Sequence, residues 1–189
     1  MLNCWLANKN MKLIIGLGNP GLDYSKTRHN LGFRALNELI SRISTDKFGI
    51  WKEEKKFQAL IAESVLNKEK ILLAKPLCFM NNSGQTVKKI ADYFKIPCHD
   101  ILVVHDDIDL PLGEVRLQKS RGSAGHKGVQ SIIDHLKTKD FLRVRIGIAP
   151  ENKEQINAED YVLQNFTLQE LESVKIAIKK AAELITETF

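Results

Sequence analysis

Cysteine is scarce in this chain: Cys4, Cys78 and Cys98 are an odd number in 189 residues, with no Cys-x-x-Cys pair. Neither a disulfide framework nor a cysteine zinc site is indicated, and a reducing, cytoplasmic setting is expected. No apolar run approaches the roughly 20 residues needed to span a bilayer, so no membrane role is expected. With 5 Pro and 11 Gly the chain is neither collagenous nor low in complexity. A Walker sequence, a Gly-x-Ser-x-Gly elbow and a His-Glu-x-x-His pair are all absent, which removes the phosphate-loop, serine-elbow and zincin classes. Residues 1–7 are too short for a signal core and have no basic segment before them. Met11 stands directly before a strand-like run. Residues 1–10 are therefore expected to be an extension and residues 11–189 a single domain.

The formal net charge of +5 is modest, but it is unevenly placed. Between Leu112 and Arg145 the basic residues are Arg116, Lys119, Arg121, Lys127, Lys137, Lys139, Arg143 and Arg145, against the acidic Glu114, Asp134 and Asp140. The whole excess lies in this stretch. It is either the footprint of a local anionic partner or a solvated charged face.

Strand and helix patterns alternate, which predicts an α/β fold: a three-layer α/β/α single domain with a mixed, largely parallel central sheet. Residues 12–17 read as a buried strand, and Leu31, Ala35, Leu36, Leu39, Ile40 and Ile43 follow at helical spacing. Residues 57–66 and 70–74 read as a hairpin, and residues 101–104 as a central strand. Residues 142–148 alternate, with Val144, Ile146 and Ile148 on one face and Arg143 and Arg145 on the other. A polar linker at residues 151–159 leads to a last helix running from Leu168 to Ile185.

Gly16-Leu-Gly-Asn-Pro-Gly21 matches the dinucleotide pattern letter for letter, but a polar loop follows where a helix should open, and the acidic partner about 20 residues on is missing. Asp106, Asp107 and Asp109 lack the glycine and downstream glutamate of a calcium loop; a turn at a strand end is expected. What remains is a convergence. In open α/β sheets, sites form beyond the carboxyl ends of strands. Three apolar strands run toward Asn19 and His29, toward Phe79-Met-Asn81, and into His105-Asp106. If these strands are parallel neighbours, Asn19, His29, Asn81 and Asp106 share one pocket. Each alone has a plain alternative: Asn19 a turn former before Pro20, His29 a helix N-terminal residue, Asn81 a cap and Asp106 a turn.

These residues resemble a known family. Gly16-Leu-Gly-Asn-Pro-Gly21, Tyr24, Thr27-Arg-His-Asn30 with Gly32, Phe79-Met-Asn81 with Ser83-Gly84, His105-Asp106 with Asp109-Leu-Pro111, Gly125-His126 with Gly128, and Arg145-Ile-Gly147 occur in the order and spacing of bacterial peptidyl-tRNA hydrolase. The resemblance runs from about Lys12 to the final helix. It implies a monomeric, cofactor-free and metal-independent enzyme that cleaves the ester between a peptide and the 3′ ribose of tRNA. Carried over residue by residue, His29 is the base, Asp106 its partner, Asn19 and Asn81 position substrate and water, and Tyr24, Phe79 and Met80 line the cleft. His126 either assists or is held by the backbone of its glycine loop. The chain departs from the family at Lys127, where many members carry Asn; lysine only donates, and its charge would repel the ammonium of an unblocked aminoacyl ester. On this reading Lys119, Arg121, Lys127, Arg143 and Arg145 hold phosphates of the acceptor stem without reading sequence. The alternative is a non-catalytic RNA-binding protein of the same fold, comparable to splicing factors.

Overall fold

The computed structural model describes residues 11–44, 50–150 and 157–189. The expected extension at residues 1–10 lies outside these, as do residues 151–156 of the expected linker. In chain order the elements are β1 (Met11–Gly16), α1 (Leu31–Ile43), β2 (Lys52–Glu54), β3 (Ala59–Leu66), β4 (Glu69–Pro76), α2 (Ser83–Phe94), β5 (Ile101–Pro111), β6 (Val115–Lys119), α3 (Lys127–Leu136), β7 (Leu142–Ala149), α4 (Ala158–Val162) and α5 (Leu171–Thr188). The strands form one sheet in the order β2-β3-β4-β1-β5-β7-β6. Its centre, β4-β1-β5-β7, is parallel, and β2, β3 and β6 join antiparallel.

Consecutive apolar residues in β1, β4 and β5 are buried on both faces, as central parallel strands require. On one face Ile14, Leu73, Val104 and Ile146 pack against Leu36 and Leu39 of α1 and Val174, Ala181 and Ile185 of α5. On the other, Ile15, Leu72 and Val103 pack against Val87 and Ile90 of α2 and Val129 and Ile132 of α3. Each such side chain contributes about 1.5–3 kcal/mol relative to exposure. The result is the three-layer arrangement that the alternation predicts.

Three expectations are corrected, and one strand is added. The segment after Val104 does not turn; β5 continues through His105, Asp106 and Asp107 to Pro111, because β7 pairs alongside it as far as Asp107↔Gly147 before the register shifts. β2 is an edge strand of three residues, too short to show a period of two. The polar segment expected to be a linker ends in α4, whose first turn Asn157 caps by accepting from the Glu159 backbone N–H. The last helix begins at Leu171, which leaves Leu168 outside it and 88% exposed.

Close backbone approach fixes the start of α1. A Cβ on Gly16 would lie 2.5 Å from the Gly32 carbonyl oxygen, and one on Gly32 would strike the backbone of Leu17 and Val104. The turn at residues 28–30 is thereby held beyond the carboxyl end of β1 and beside the middle of β5.

Candidate active site

Because β4, β1 and β5 are parallel neighbours, the residues that follow or end them meet at one edge of the sheet. A cavity of about 490 Å³ opens there, lined by Asn19, Tyr24, His29, Phe79, Met80, Asn81, Asp106, His126 and Lys127 among others. His29 sits in the 3₁₀ turn ahead of α1 and Asp106 inside β5, separated by 77 residues in sequence, and His29 Nδ1 lies 2.9 and 3.0 Å from the two carboxylate oxygens. Both residues are buried. His126 caps α3: its Nδ1 accepts from the backbone N–H groups of Gly128 (3.1 Å) and Val129 (3.3 Å). That leaves the proton on Nε2, which donates to Asp106 Oδ1 at 3.1 Å. Burial alone would raise the Asp106 pKa, but the two imidazoles hold it well below the usual carboxylate range. In the neutral imidazole of His29 the ionised carboxylate therefore places the proton on Nδ1 and the lone pair on Nε2.

Amide orientations follow in the same way. Asn19 Oδ1 accepts from the Met80 backbone N–H at 2.9 Å, so its Nδ2 is the donor left for the cavity. Asn30 fixes Asn19 from behind, accepting from its N–H (2.8 Å) and donating to its carbonyl (2.9 Å). Phe79 is 59% exposed on the cavity wall and Asn81 is exposed beside it, while Met80 is buried. The Gly16–Gly21 loop opens no α-helix: a 3₁₀ turn follows, and a Cβ on Gly18 would lie 2.7 Å from the Phe33 ring.

His29, Asp106 and His126 each bring a possible metal-ligand atom within 4.8 Å of the others. The hydrogen bonds disfavour that use. A metal at His126 Nε2 would displace its proton, and Nδ1 cannot take that proton while facing two backbone N–H groups. His105, fully buried, is driven well below the usual histidine pKa by desolvation first and by the neighbouring His126 second. It is neutral and donates from Nδ1 to the Asp106 carbonyl at 2.6 Å.

The expected phosphate contacts of Arg143 and Arg145 are corrected by their burial, at 1% and 2% exposure. The alternation in β7 is real, but both of its faces are covered. Arg145 bonds Asp107 at 2.6 Å and Gln118 at 2.6 Å, and Arg143 donates to the Gly122 carbonyl at 2.9 Å. Burial, then the Arg145 and Arg121 charges, pushes Arg143 down to about 10. Lys119 lies outside the cavity lining, exposed on β6 and 3.4 Å from Asp140.

Residues not singled out from sequence complete the cleft. Ala158, Glu159, Val162 and Leu163 form one wall of the cavity. Arg28, beside His29 and buried, anchors the segment after that wall: it bonds both Glu170 oxygens (2.8 and 2.7 Å) and the Asn165 carbonyl (2.6 Å), and lies over the Tyr161 and Phe166 rings. Its place between Thr27 and His29 was the available signal.

A buried His–Asp pair beside an amide donor in an open cavity at the carboxyl edge of an α/β/α sheet is an arrangement that suits a hydrolase. Comparison with known proteins specifies which kind. The family model described as peptidyl-tRNA hydrolase matches residues 13–189. Peptidyl-tRNA hydrolases of Bacillus anthracis and Listeria monocytogenes serovar 1/2a are each 44% identical, over 94% of this chain and 92% and 91% of theirs. A crystal structure of peptidyl-tRNA hydrolase from Acinetobacter baumannii superposes with a TM-score of 0.83 at 32% identity, covering 95% of this chain and 90% of that one. The chain belongs to the peptidyl-tRNA hydrolase family.

Proposed function

We propose that the chain hydrolyses the ester between the peptide and the 3′ ribose of peptidyl-tRNA, with His29 as general base, acting as a cytoplasmic monomer. The observation that carries this reading is the His29–Asp106 pair, whose geometry leaves the His29 Nε2 lone pair available in the cavity. His29 Nε2 takes a proton from water as the water attacks the ester carbonyl, which contributes about 10²–10⁴ in rate. Asp106 steadies the imidazolium that forms, and His126 holds the Asp106 oxygen from the other side. Asn19 Nδ2 donates to the developing oxyanion, a term of about 10²–10³, and Asn81 positions substrate at the cavity rim. The imidazolium returns its proton to the departing 3′ oxygen, so no metal or cofactor enters the scheme.

Tyr24, Phe79, Met80 and Val162 offer the peptide an apolar wall. The exposed Lys119, Arg121 and Lys127 offer cations to acceptor-stem phosphates. A non-catalytic RNA-binding role would have no use for the buried His29–Asp106–His126 network. The test is incubation of N-acetylaminoacyl-tRNA with the enzyme in ¹⁸O-labelled water. The expected result is intact tRNA with label in the released carboxylate; no release, or label retained on the tRNA, would refute the reading.

A further inference from the structure

The turn that carries His29 is fastened from two sides. Asn30 ties it to Asn19, and Arg28 ties it to the segment that follows α4. The Arg28 backbone N–H donates to the Gln164 carbonyl at 3.0 Å, and Thr27 pairs with Asn165 in an isolated β-bridge. The guanidinium, 3% exposed, donates from Nη1 to the Asn165 carbonyl at 2.6 Å and from Nη2 to the two Glu170 oxygens at 2.8 and 2.7 Å. Its Cζ lies 4.2 and 4.8 Å from the centres of the Tyr161 and Phe166 rings. Burial would raise the Glu170 carboxyl, but the Thr167 N–H and the Arg28 fork hold it below its ordinary value, so the pair is ionised. Tyr161 directly precedes Val162 and Leu163, which line the cavity, so one side chain joins the base to a wall of the site. Stability does not require a cation here. Arg28 Nε finds no acceptor among the described residues, and a buried ion pair is commonly replaced by apolar residues of similar volume without loss. What an apolar residue would not supply is direction: the planar fork bonds a carboxylate and a carbonyl along fixed lines.

Resting on the hydrolysis reading above, we propose that Arg28 is a positioning residue for the reaction: its fork, locked to Asn165 and Glu170, sets the place of His29 Nε2 relative to the wall formed by Val162 and Leu163. An acyl chain seated on that wall then brings its ester carbonyl to a fixed separation from the water that Nε2 holds. Arg28 is not among the residues that line the cavity, so it acts only through the residues it fastens. A loosened fork lets the base drift by a fraction of an ångström, and rate falls steeply with such misplacement. Lysine at this position keeps a charge toward Glu170 but offers a point donor in place of the fork.

The test is a double-mutant cycle of Arg28→Lys with His29→Ala. It is read as the single-turnover rate of N-acetylaminoacyl-tRNA cleavage at saturating enzyme, at a temperature where circular dichroism shows each variant folded. Arg28→Lys is expected to lower the rate about tenfold when His29 is present. In the His29→Ala background the same substitution is expected to change it by less than about twofold, because placement has no effect once the base is gone. Glu170→Gln keeps the Asn165 bond and weakens only the charged end of the fork; it is the second variant should Arg28→Lys fail to fold. Its expected loss is about threefold, with the same dependence on His29. A loss by the same factor in both backgrounds would overturn the proposal, since the fork would then serve only the fold or tRNA binding. A rate within about twofold of wild type for Arg28→Lys with His29 present would overturn it too. The two readings fail differently: no cleavage by wild type, or full cleavage by His29→Ala, refutes the general-base hydrolysis reading, whereas an additive cycle refutes the positioning role alone.

Discussion

Replacing Asp106 by asparagine changes one atom and removes both the charge and the tautomer preference on which the site depends. Asp106 Oδ1 receives both His29 Nδ1 at 2.9 Å and His126 Nε2 at 3.1 Å, and Oδ2 lies 3.0 Å from His29 Nδ1. His126 cannot switch, because Gly128 and Val129 occupy its Nδ1 with N–H donors. The new amide must therefore keep its oxygen toward His126, and its NH₂ group falls where Oδ2 was, facing His29. His29 Nδ1 then faces the kept oxygen at 2.9 Å and an N–H donor where Oδ2 stood at 3.0 Å, so the Nδ1–H tautomer loses its preference and the imidazolium loses the carboxylate charge that stabilises it. The loss expected in kcat is about 10³–10⁴-fold, or about 4–5.5 kcal/mol of barrier. KM should change little, because substrate contacts are untouched. Cleavage of N-acetylaminoacyl-tRNA by Asp106→Asn and wild type measures both constants. A kcat within tenfold of wild type would refute the tautomer argument.

Two further predictions follow from buried cations. Arg145→Ala leaves Asp107 buried without its partner and should cost about 3–5 kcal/mol of stability in urea denaturation; a raised KM with unchanged stability would instead make Arg145 a phosphate contact. Lys75, buried with its Nζ 3.9 Å from the Trp51 ring centre, is pushed down to about 8 by desolvation. Between that value and the free lysine value of 10.5 the unfolded chain binds the extra proton, so stability rises with pH across this window and is lowest below about 8. The gain expected for wild type is about 3 kcal/mol, and Lys75→Met should lack this pH dependence; parallel pH profiles would contradict the assignment.

The parallel core was legible in the sequence because its apolar runs are continuous, and the cluster of Asn19, His29, Asn81 and Asp106 because those runs end in polar groups. The second half of β5 was hidden, since His105, Asp106 and Asp107 break the apolar run and are strand-like only through pairing with β7. Arg143 and Arg145 alternate with Val144 and Ile146 as an exposed face would; their burial depends on Gln118, Asp107 and the Gly122 loop, which come from elsewhere in the chain. Glu159 lay in a polar stretch, and α4, with five residues, is too short to form a helix of its own accord. Its place in the cavity lining depends on tertiary contact alone.

The claim on which the rest depends is that the His29 Nε2 lone pair activates the attacking water. Its most direct test is His29→Ala, with single-turnover cleavage of N-acetylaminoacyl-tRNA measured beside the dissociation constant of the same substrate. Loss of cleavage by about 10²–10⁴-fold with binding held within about threefold is the expected result. Cleavage at a rate near wild type, or loss of binding in proportion to the loss of rate, would contradict it.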